Sequence, residues 1–197
     1  MKTKTQRHPC ASAEHKARID AIVRPLSTAN YEVDVSWFHI ERQLADLSTD
    51  YGLNLVPDFQ RGHVWTSAQQ QAFIENVLRG VVPTSGLLVA FNCPHWDDST
   101  YQGDLPREVQ CVDGLQRLTA IRAFLASEIR PFGLDLADLE GTDFDVKRIG
   151  FRVRMAVHTF QSRAELLQHY LDINAGGTPH SEAEITRVRE LHRQAAA

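Results

Sequence analysis

The stretch that decides the fold is EVQCVDGLQRLTAIRAFLA, residues 108–126. Its first five residues alternate as in a β-strand, the Asp-Gly pair at 113–114 is typical of a turn, and Leu118, Ile121 and Phe124 then share one helical face. A strand that turns directly into a helix exposes the helix N-terminus, whose backbone N–H groups and dipole attract anions. The sequence therefore predicts an anion-binding turn in a domain that mixes strands with helices.

The rest of the chain alternates between the two kinds of element. The spacing of apolar residues predicts helices over 37–47, 68–79, 116–126, 163–171 and 182–191, and strands over 53–56, 87–91 and 151–157. Short strands interleaved with helices indicate an α+β fold, a small mixed sheet with flanking helices. We assign it to residues 31–197 as a single domain, preceded by a flexible basic arm over residues 1–30.

Charge is divided unevenly along the chain. The chain has 21 Lys and Arg residues and 25 Asp and Glu residues. Residues 1–24 contain six of the basic residues and two of the acidic ones, so the remainder contains 15 basic and 23 acidic residues. A cationic arm can follow a nucleic-acid backbone, but such arms are also commonly solvated tails. The sequence leaves both readings open, whereas the acidic remainder argues against a broad DNA-binding face.

Composition also restricts the cellular setting. No stretch approaches the roughly 18 apolar residues of a membrane span, and the N-terminus lacks the apolar core of a signal peptide. Cys10, Cys93 and Cys111 are widely spaced, which suggests reduced thiols and no Cys-X-X-Cys metal clip. We expect a cytoplasmic protein, in a bacterium or a phage-infected host, with no membrane partner.

A second polar turn precedes the deciding stretch, at Val56-Pro57-Asp58-Phe59-Gln60-Arg61. The guanidinium of Arg61 offers a planar set of donors that matches phosphate oxygens, and Gln60 can donate to the same oxygens. The alternative is an exposed arginine beside a loop glutamine. At the other turn, Arg117 adds a charge to the helix N-terminus, and Asp113 either orients a metal ion or a water molecule or simply caps the helix.

Together the two turns resemble a known pair of motifs. VPDFQRGHVW, residues 56–65, and VDGLQRLT, residues 112–119, are similar to motifs of the N-terminal domain of GmrSD-type restriction endonucleases, a branch of the ParB/sulfiredoxin-like superfamily. A third family element is matched by DINAGGTPH, residues 172–180. The similarity covers about residues 35–190, and three motifs in the family's order make it specific.

The resemblance implies a ParB-like domain that binds a nucleoside triphosphate with Mg²⁺ or Mn²⁺ and in several members hydrolyses it. It implies catalytic roles for Asp113 and Gln116, with Asp113 also at the metal. The residues implied to bind phosphate or nucleotide are Gln60, Arg61, Gly114, Arg117, Asn174, Gly177 and Thr178. Two positions depart from the pattern, because Leu115 replaces a glutamine and His63 replaces a tyrosine, and both affect expected hydrolysis more than binding.

The sequence leaves two functions open. One is a metal-dependent nucleoside triphosphatase with weak activity, related to restriction and defence systems. The other is a non-enzymatic sensor that binds a nucleic acid, a protein partner or a second copy of the chain, in phage defence or counter-defence. A nuclease site is not expected, since the histidines beside Cys10 and Cys93 lack further metal ligands.

Three ring-bearing residues could contact a ligand or support the fold. Trp65 is expected to brace the first turn, with stacking on a base as the alternative, and Trp96 is a candidate for ligand or partner contact. His158, at the end of a predicted strand, is expected either to line the same pocket or to act as a partly buried structural donor.

Overall fold

The computed structural model describes residues 12–174 and 182–196. Its strands form one five-stranded mixed sheet in the order β1-β5-β3-β4-β2. The β2–β4 and β3–β5 pairs are parallel and the other two are antiparallel. The strands are β1 (Tyr31–Ser36), β2 (Leu53–Asn54), β3 (Leu88–Asn92), β4 (Val109–Asp113) and β5 (Arg152–His158). The sheet is flanked by helices, which confirms the predicted α+β class.

The described helices are α1 (Ala13–Val23), α2 (Ile40–Tyr51), α3 (Ser67–Leu78), α4 (Leu115–Leu125), α5 (Leu136–Leu139), α6 (Arg163–Asn174) and α7 (Glu182–Ala195). Their starts follow from local chemistry. At α3, for example, the Thr66 hydroxyl accepts from the Gln69 backbone N–H while the Gln69 side chain accepts from that of Thr66, which is a capping box.

Alternate residues of the central strands feed two apolar clusters. On β3, Val89 and Phe91 belong to a large cluster with α2, α3 and α4, whereas Ala90 belongs to a second cluster with α6 and α7. Successive side chains of a strand point to opposite faces, so the sheet is covered by helices on both sides. Val112 of β4 joins the second cluster, which brings α6 close to the turn that follows this strand.

Several predicted boundaries differ from the observed ones. The predicted helix over 37–47 begins with a 3₁₀ turn, Trp37–His39, before α2. The predicted strand over 53–56 ends at Asn54, whose side-chain oxygen accepts a hydrogen bond from the Val56 N–H at 3.0 Å and turns the chain. Such an asparagine turn competes with strand pairing.

Besides the short helix α5 and isolated 3₁₀ turns, two elements were not predicted at all. The first is α1, which has no buried residue and therefore no apolar stripe to reveal it. The second is β1, whose acidic residues are not typical of a strand. Its Glu32 and Asp34 pair with Arg152 and Arg154 of the neighbouring strand. Among the described helices, none has the length and apolar character needed to cross a membrane.

Candidate functional site

The two polar turns meet in one pocket of about 220 Å³. Predicted site residues line it from three directions: the turn before α3, the start of α4 and the end of α6. They are Gln60, Arg61, Asp113, Gly114, Gln116, Arg117 and Asn174, joined by Trp65, Val112, Leu115, Tyr170 and Ile173. Gly177 and Thr178, which the resemblance also assigned to the site, lie outside the described residues.

The first turn is held by side chains from α6 and α7. Phe59 is fully buried and packs edge-on against Tyr170, with ring centroids 5.2 Å apart. Arg187 donates to the backbone carbonyls of Asp58 and Phe59, the latter at 2.9 Å, and Arg163 pairs with the Asp58 carboxylate. These contacts fix the backbone that presents Gln60 and Arg61.

Gln60 connects the first turn to the strand that leads into the second. Its Nε2 donates to the backbone oxygens of Cys111 at 3.1 Å and Val112 at 2.9 Å. The end of β4 and the first turn are thereby held side by side. The Gln60 side chain therefore holds the backbone of β4 in place and also lines the pocket.

Gln116 makes the reciprocal connection from α4. Its Oε1 accepts from the backbone N–H groups of Val64 at 3.0 Å and Trp65 at 3.1 Å, and its Nε2 donates to the Gly62 carbonyl at 2.7 Å. These hydrogen bonds fix both ends of the amide. The Gln116 side chain therefore positions the loop that carries Arg61.

Gly114 is required by contact with the sheet. Its φ is +90°, and a Cβ there would lie 2.6 Å from the Leu88 oxygen and 2.9 Å from the Val89 Cα. The resemblance implied phosphate binding by Gly114, and the close approach observed here is between its backbone and β3. Gly114 is also the N-cap of α4 and no side chain caps that helix, so the alternative in which Asp113 is the cap is wrong.

Asp113 forms an ion pair with Arg117 one turn later. The Arg117 guanidinium lies 2.6 Å from Oδ2 of Asp113 and also donates to the Leu88 carbonyl at 2.9 Å. The Nε of Arg117 is buried without a hydrogen-bond partner. The pair remains partly solvated, since the two side chains are 33% and 41% exposed, so it anchors Asp113 with a modest energy.

Arg61 differs from Arg117 in its surroundings. It lines the pocket and is half-buried, and within residues 12–174 and 182–196 no group accepts a hydrogen bond from it or forms an ion pair with it. The neighbouring Tyr170 stays protonated at neutral pH, because burial raises its pKa to about 12 although the charge of Arg61 opposes this shift. Arg61 is thus a pocket cation that forms no ion pair within the described part of the chain.

Metal binding by the protein alone is not supported. In the described ranges there is no group of three or more His, Cys, Asp or Glu side chains able to hold an ion. A Mg²⁺ ion that arrives with a nucleotide needs one or two carboxylates, because phosphates and water supply its other ligands. Asp113 fits that smaller requirement, since only its Oδ2 is occupied by Arg117 among the described contacts.

Sequence reasoning missed the residues that support the pocket from behind. Tyr170 could have been found from the sequence, since it lies one helical turn before Asn174. In the structure its carbonyl accepts a hydrogen bond from Asn174 Nδ2 at 2.8 Å. No sequence feature indicated Arg187, because its hydrogen bonds to residues 58 and 59 depend on how α7 packs in three dimensions.

The three ring-bearing residues take different positions. Trp65 lines the pocket and packs against Phe73, with ring centroids 5.3 Å apart, which favours bracing. Trp96 stacks on Tyr31 and Tyr51, away from the pocket. The expectation that His158 lines the same pocket is wrong, because it faces a separate cavity with His169.

The fold and the pocket define a small α+β domain whose site is built from two strand-end turns. A family model described as the GmrSD restriction endonuclease N-terminal domain matches residues 43–168. The chain belongs to this family, which links it to restriction and defence systems. The match includes both turns and ends before Asn174. No curated protein and no solved structure matches the chain.

Proposed function

We propose that the pocket binds the phosphate groups of a nucleoside triphosphate carried as its Mg²⁺ complex. The observation that carries this proposal is the position of Arg61, a pocket cation with no anionic partner among the described residues. A planar guanidinium matches the spacing of phosphate oxygens and can bind two of them at once.

The start of α4 adds further donors. Backbone N–H groups in the first turn of a helix have no partner within the helix, and no side chain caps this one. Gly114, Leu115, Gln116 and Arg117 all line the pocket, so the N-terminal end of α4, where the helix dipole is positive, borders the site. Arg61 and the helix end together favour an anion of high charge density.

Asp113 has the part that is specific to a metal complex. With one oxygen held by Arg117, it can offer the other to a Mg²⁺ ion on the phosphates or to a water molecule. The Arg117 charge offsets the repulsion that Asp113 would otherwise exert on phosphate. In this proposal Arg117, Gln60 and Gln116 are positioning residues, and Asn174 lies at the wall where the third motif begins.

Hydrolysis, where it occurs, is expected to be weak. Leu115 stands where the resembled family has a glutamine, and its side chain is buried in the core, where it is 5% exposed and offers no polar group to the site. Gln116 is occupied by the backbone of residues 62–65. Among the polar side chains of the second turn, Asp113 would therefore be left to orient the attacking water.

The same observations favour a second candidate function, a sensor that binds nucleotide without turnover. In that case the occupied pocket would strengthen the contacts between the two turns and alter a surface read by a protein partner, a second copy or DNA at the basic arm. The arm residues Lys16, Arg18 and Arg24 are exposed and could reach such a partner.

Calorimetry with the four ribonucleoside triphosphates, with and without Mg²⁺, tests the proposal. We expect binding that strengthens with Mg²⁺ and falls about tenfold or more in Arg61→Ala, the loss expected from one charge-assisted contact. Arg42→Ala is the matched control, since Arg42 is exposed on α2 and is not among the residues that line the pocket. Equal affinity of wild type and Arg61→Ala would show that the pocket is not the phosphate site.

Phosphate release separates the two functions. Asp113→Asn should abolish turnover while triphosphate binding without Mg²⁺ survives, because the amide cannot replace a carboxylate at the metal or the water. Binding with no phosphate release by wild type would identify the sensor.

A further inference from the structure

A second cavity, of about 790 Å³, shares no lining residue with the phosphate pocket. It lies between the segment 24–30, the end of β5 and the helix α6, with His192 of α7 also in its lining, which mixes polar and apolar side chains. Asn30, Gln168, His158 and His169 are among the side chains that face it. The resemblance assigned no role to any of them.

The two histidines stand out because they are buried without hydrogen bonds. His158 is 7% exposed and His169 is 8% exposed. The other buried polar side chains of the described chain, Gln70, Asn92 and Gln110, each form at least one hydrogen bond. The Nδ1 atom of His158 has no partner and no access to solvent. An atom with no accessible surface cannot be reached from the cavity, so a bound molecule can contact only the other ring nitrogen of His158.

An aromatic cluster forms part of the same wall. The rings of His158 and Phe160 are nearly parallel, at 8°, with centroids 5.2 Å apart. His169 completes the cluster, with its centroid 4.7 Å from that of His158 and 4.9 Å from that of Phe160. Aromatic walls favour flat rings, which pack by stacking or by edge contacts.

The protonation state of the histidines defines the polar part of the ligand. Burial, reinforced by the neighbouring His169, lowers the pKa of His158 to about 4, and burial also lowers the pKa of His169. Both rings are neutral at neutral pH, and a neutral imidazole has one N–H donor and one acceptor nitrogen. A ligand with donors and acceptors on the edge of a ring complements this pair.

The charged residues of the wall argue against an anion. Two carboxylates, Glu165 and Asp172, face one guanidinium, that of Arg24. His192 of α7 also lines the cavity, and the two carboxylates at least equal the cationic groups in number, so this wall attracts phosphate less than the pocket around Arg61 does. The ligand that fits is therefore a flat, uncharged ring with a polar edge.

We propose that this cavity binds the base of a free nucleoside, which packs against the His158, Phe160 and His169 rings and forms a hydrogen bond with the His158 ring. A neutral nucleobase combines a flat ring with donors and acceptors on its edge, and the amides and hydroxyls of the lining suit a ribose. The proposal stands independently of phosphate binding at Arg61.

The test is a titration of the protein with adenosine, guanosine, cytidine and uridine, followed by calorimetry and by the NMR signals of the histidine rings. At least one nucleoside should bind at millimolar concentration or below and shift the ring signals of His158 and His169. His158→Phe keeps the aromatic ring and removes both nitrogens, and it should weaken binding by roughly tenfold. His39→Phe, at an exposed histidine outside the cavity, should bind as wild type does.

Three results would overturn the proposal. They are the absence of binding by all four nucleosides at millimolar concentration, an unchanged affinity in His158→Phe, and binding of a single-stranded oligonucleotide when every nucleoside fails. If His158→Phe does not fold, the ring signals of the wild-type protein decide. Arg61→Ala should keep nucleoside binding while it loses triphosphate binding, so the two proposals can fail separately.

Discussion

The two turns that build the pocket are stabilised in different ways. The first, residues 57–65, is held from outside by Arg163 and Arg187 and by the Gln116 amide. The second, residues 113–117, is held by its own ion pair and by backbone contact with β3. Each turn carries one arginine, and only Arg117 is part of the support. Two arginines in similar motifs can therefore have different roles. One stabilises the site, and the other is available to a ligand.

The largest effect on stability is expected at the second turn. Gly114→Ala should lower the free energy of unfolding by about 3 kcal/mol, because the added Cβ meets the β3 backbone and the positive φ is unfavourable for alanine. Urea unfolding followed by tryptophan fluorescence measures the loss. Gly141→Ala is the control, since Gly141 has a φ of +74° and no atom within 4 Å of the added Cβ. Its expected cost is about 1 kcal/mol, and equal losses would show that contact with β3 is not limiting.

The connection between the turns should give the next effect. Gln116→Ala removes three hydrogen bonds to the backbone of residues 62–65 and should cost about 2 kcal/mol in the free energy of unfolding. Gln102→Ala, at an exposed position, should stay within about 0.5 kcal/mol of wild type. If Gln116→Ala unfolds at the wild-type urea concentration, the two turns do not depend on this link.

Support from α7 is expected to matter for binding as well as for stability. Arg187→Ala should lower the free energy of unfolding by about 1.5 kcal/mol and weaken triphosphate binding, since the turn that carries Arg61 loses its bonds from α7. The matched change on the same helix is Arg189→Ala, at an exposed side chain. Calorimetry and urea unfolding of both variants check this, and a loss of stability with unchanged affinity would separate Arg187 from the site.

The smallest effect on stability is expected at Arg61. Arg61→Met should change the free energy of unfolding by less than about 0.5 kcal/mol, whereas Arg117→Met should cost about 1 kcal/mol because it breaks a partly solvated ion pair. The order should reverse for triphosphate affinity, where Arg61→Met is the more damaging change. Calorimetry and urea unfolding of both variants test this division of roles between the two arginines. The division is wrong if Arg117→Met weakens binding more than Arg61→Met does at equal stability.

Much of the fold could be predicted because its signals are local. The capping box and apolar stripe of α3 and the alternation leading into α4 are visible in short windows of sequence. β3 was found as a continuous apolar run because both of its faces are covered. By contrast, β1 has an acidic face that is satisfied by arginines of β5, more than a hundred positions later, so no local window shows it.

The site was predicted to the level of which residues meet and no further. The resemblance implied that Arg61, Asp113 and Arg117 share a pocket, and all three line the same one. The sequence could not show that Arg117 pairs with Asp113 while Arg61 has no ion-pair partner among the described residues, because these contacts depend on distances in three dimensions. It also could not show the second cavity, whose histidines come from β5 and α6 without a motif.

The position of β5 in the sheet has a consequence for how the chain folds as it is made. β5 lies between β1 and β3, so both strands acquire this neighbour only after residue 158 has left the ribosome. Asp34 and Arg154 are 120 positions apart, a delay on the order of ten seconds at ordinary rates of protein synthesis. During that interval the apolar side of β1 is exposed to other nascent chains and to chaperones. The sheet can therefore be completed only after β5 has been synthesised.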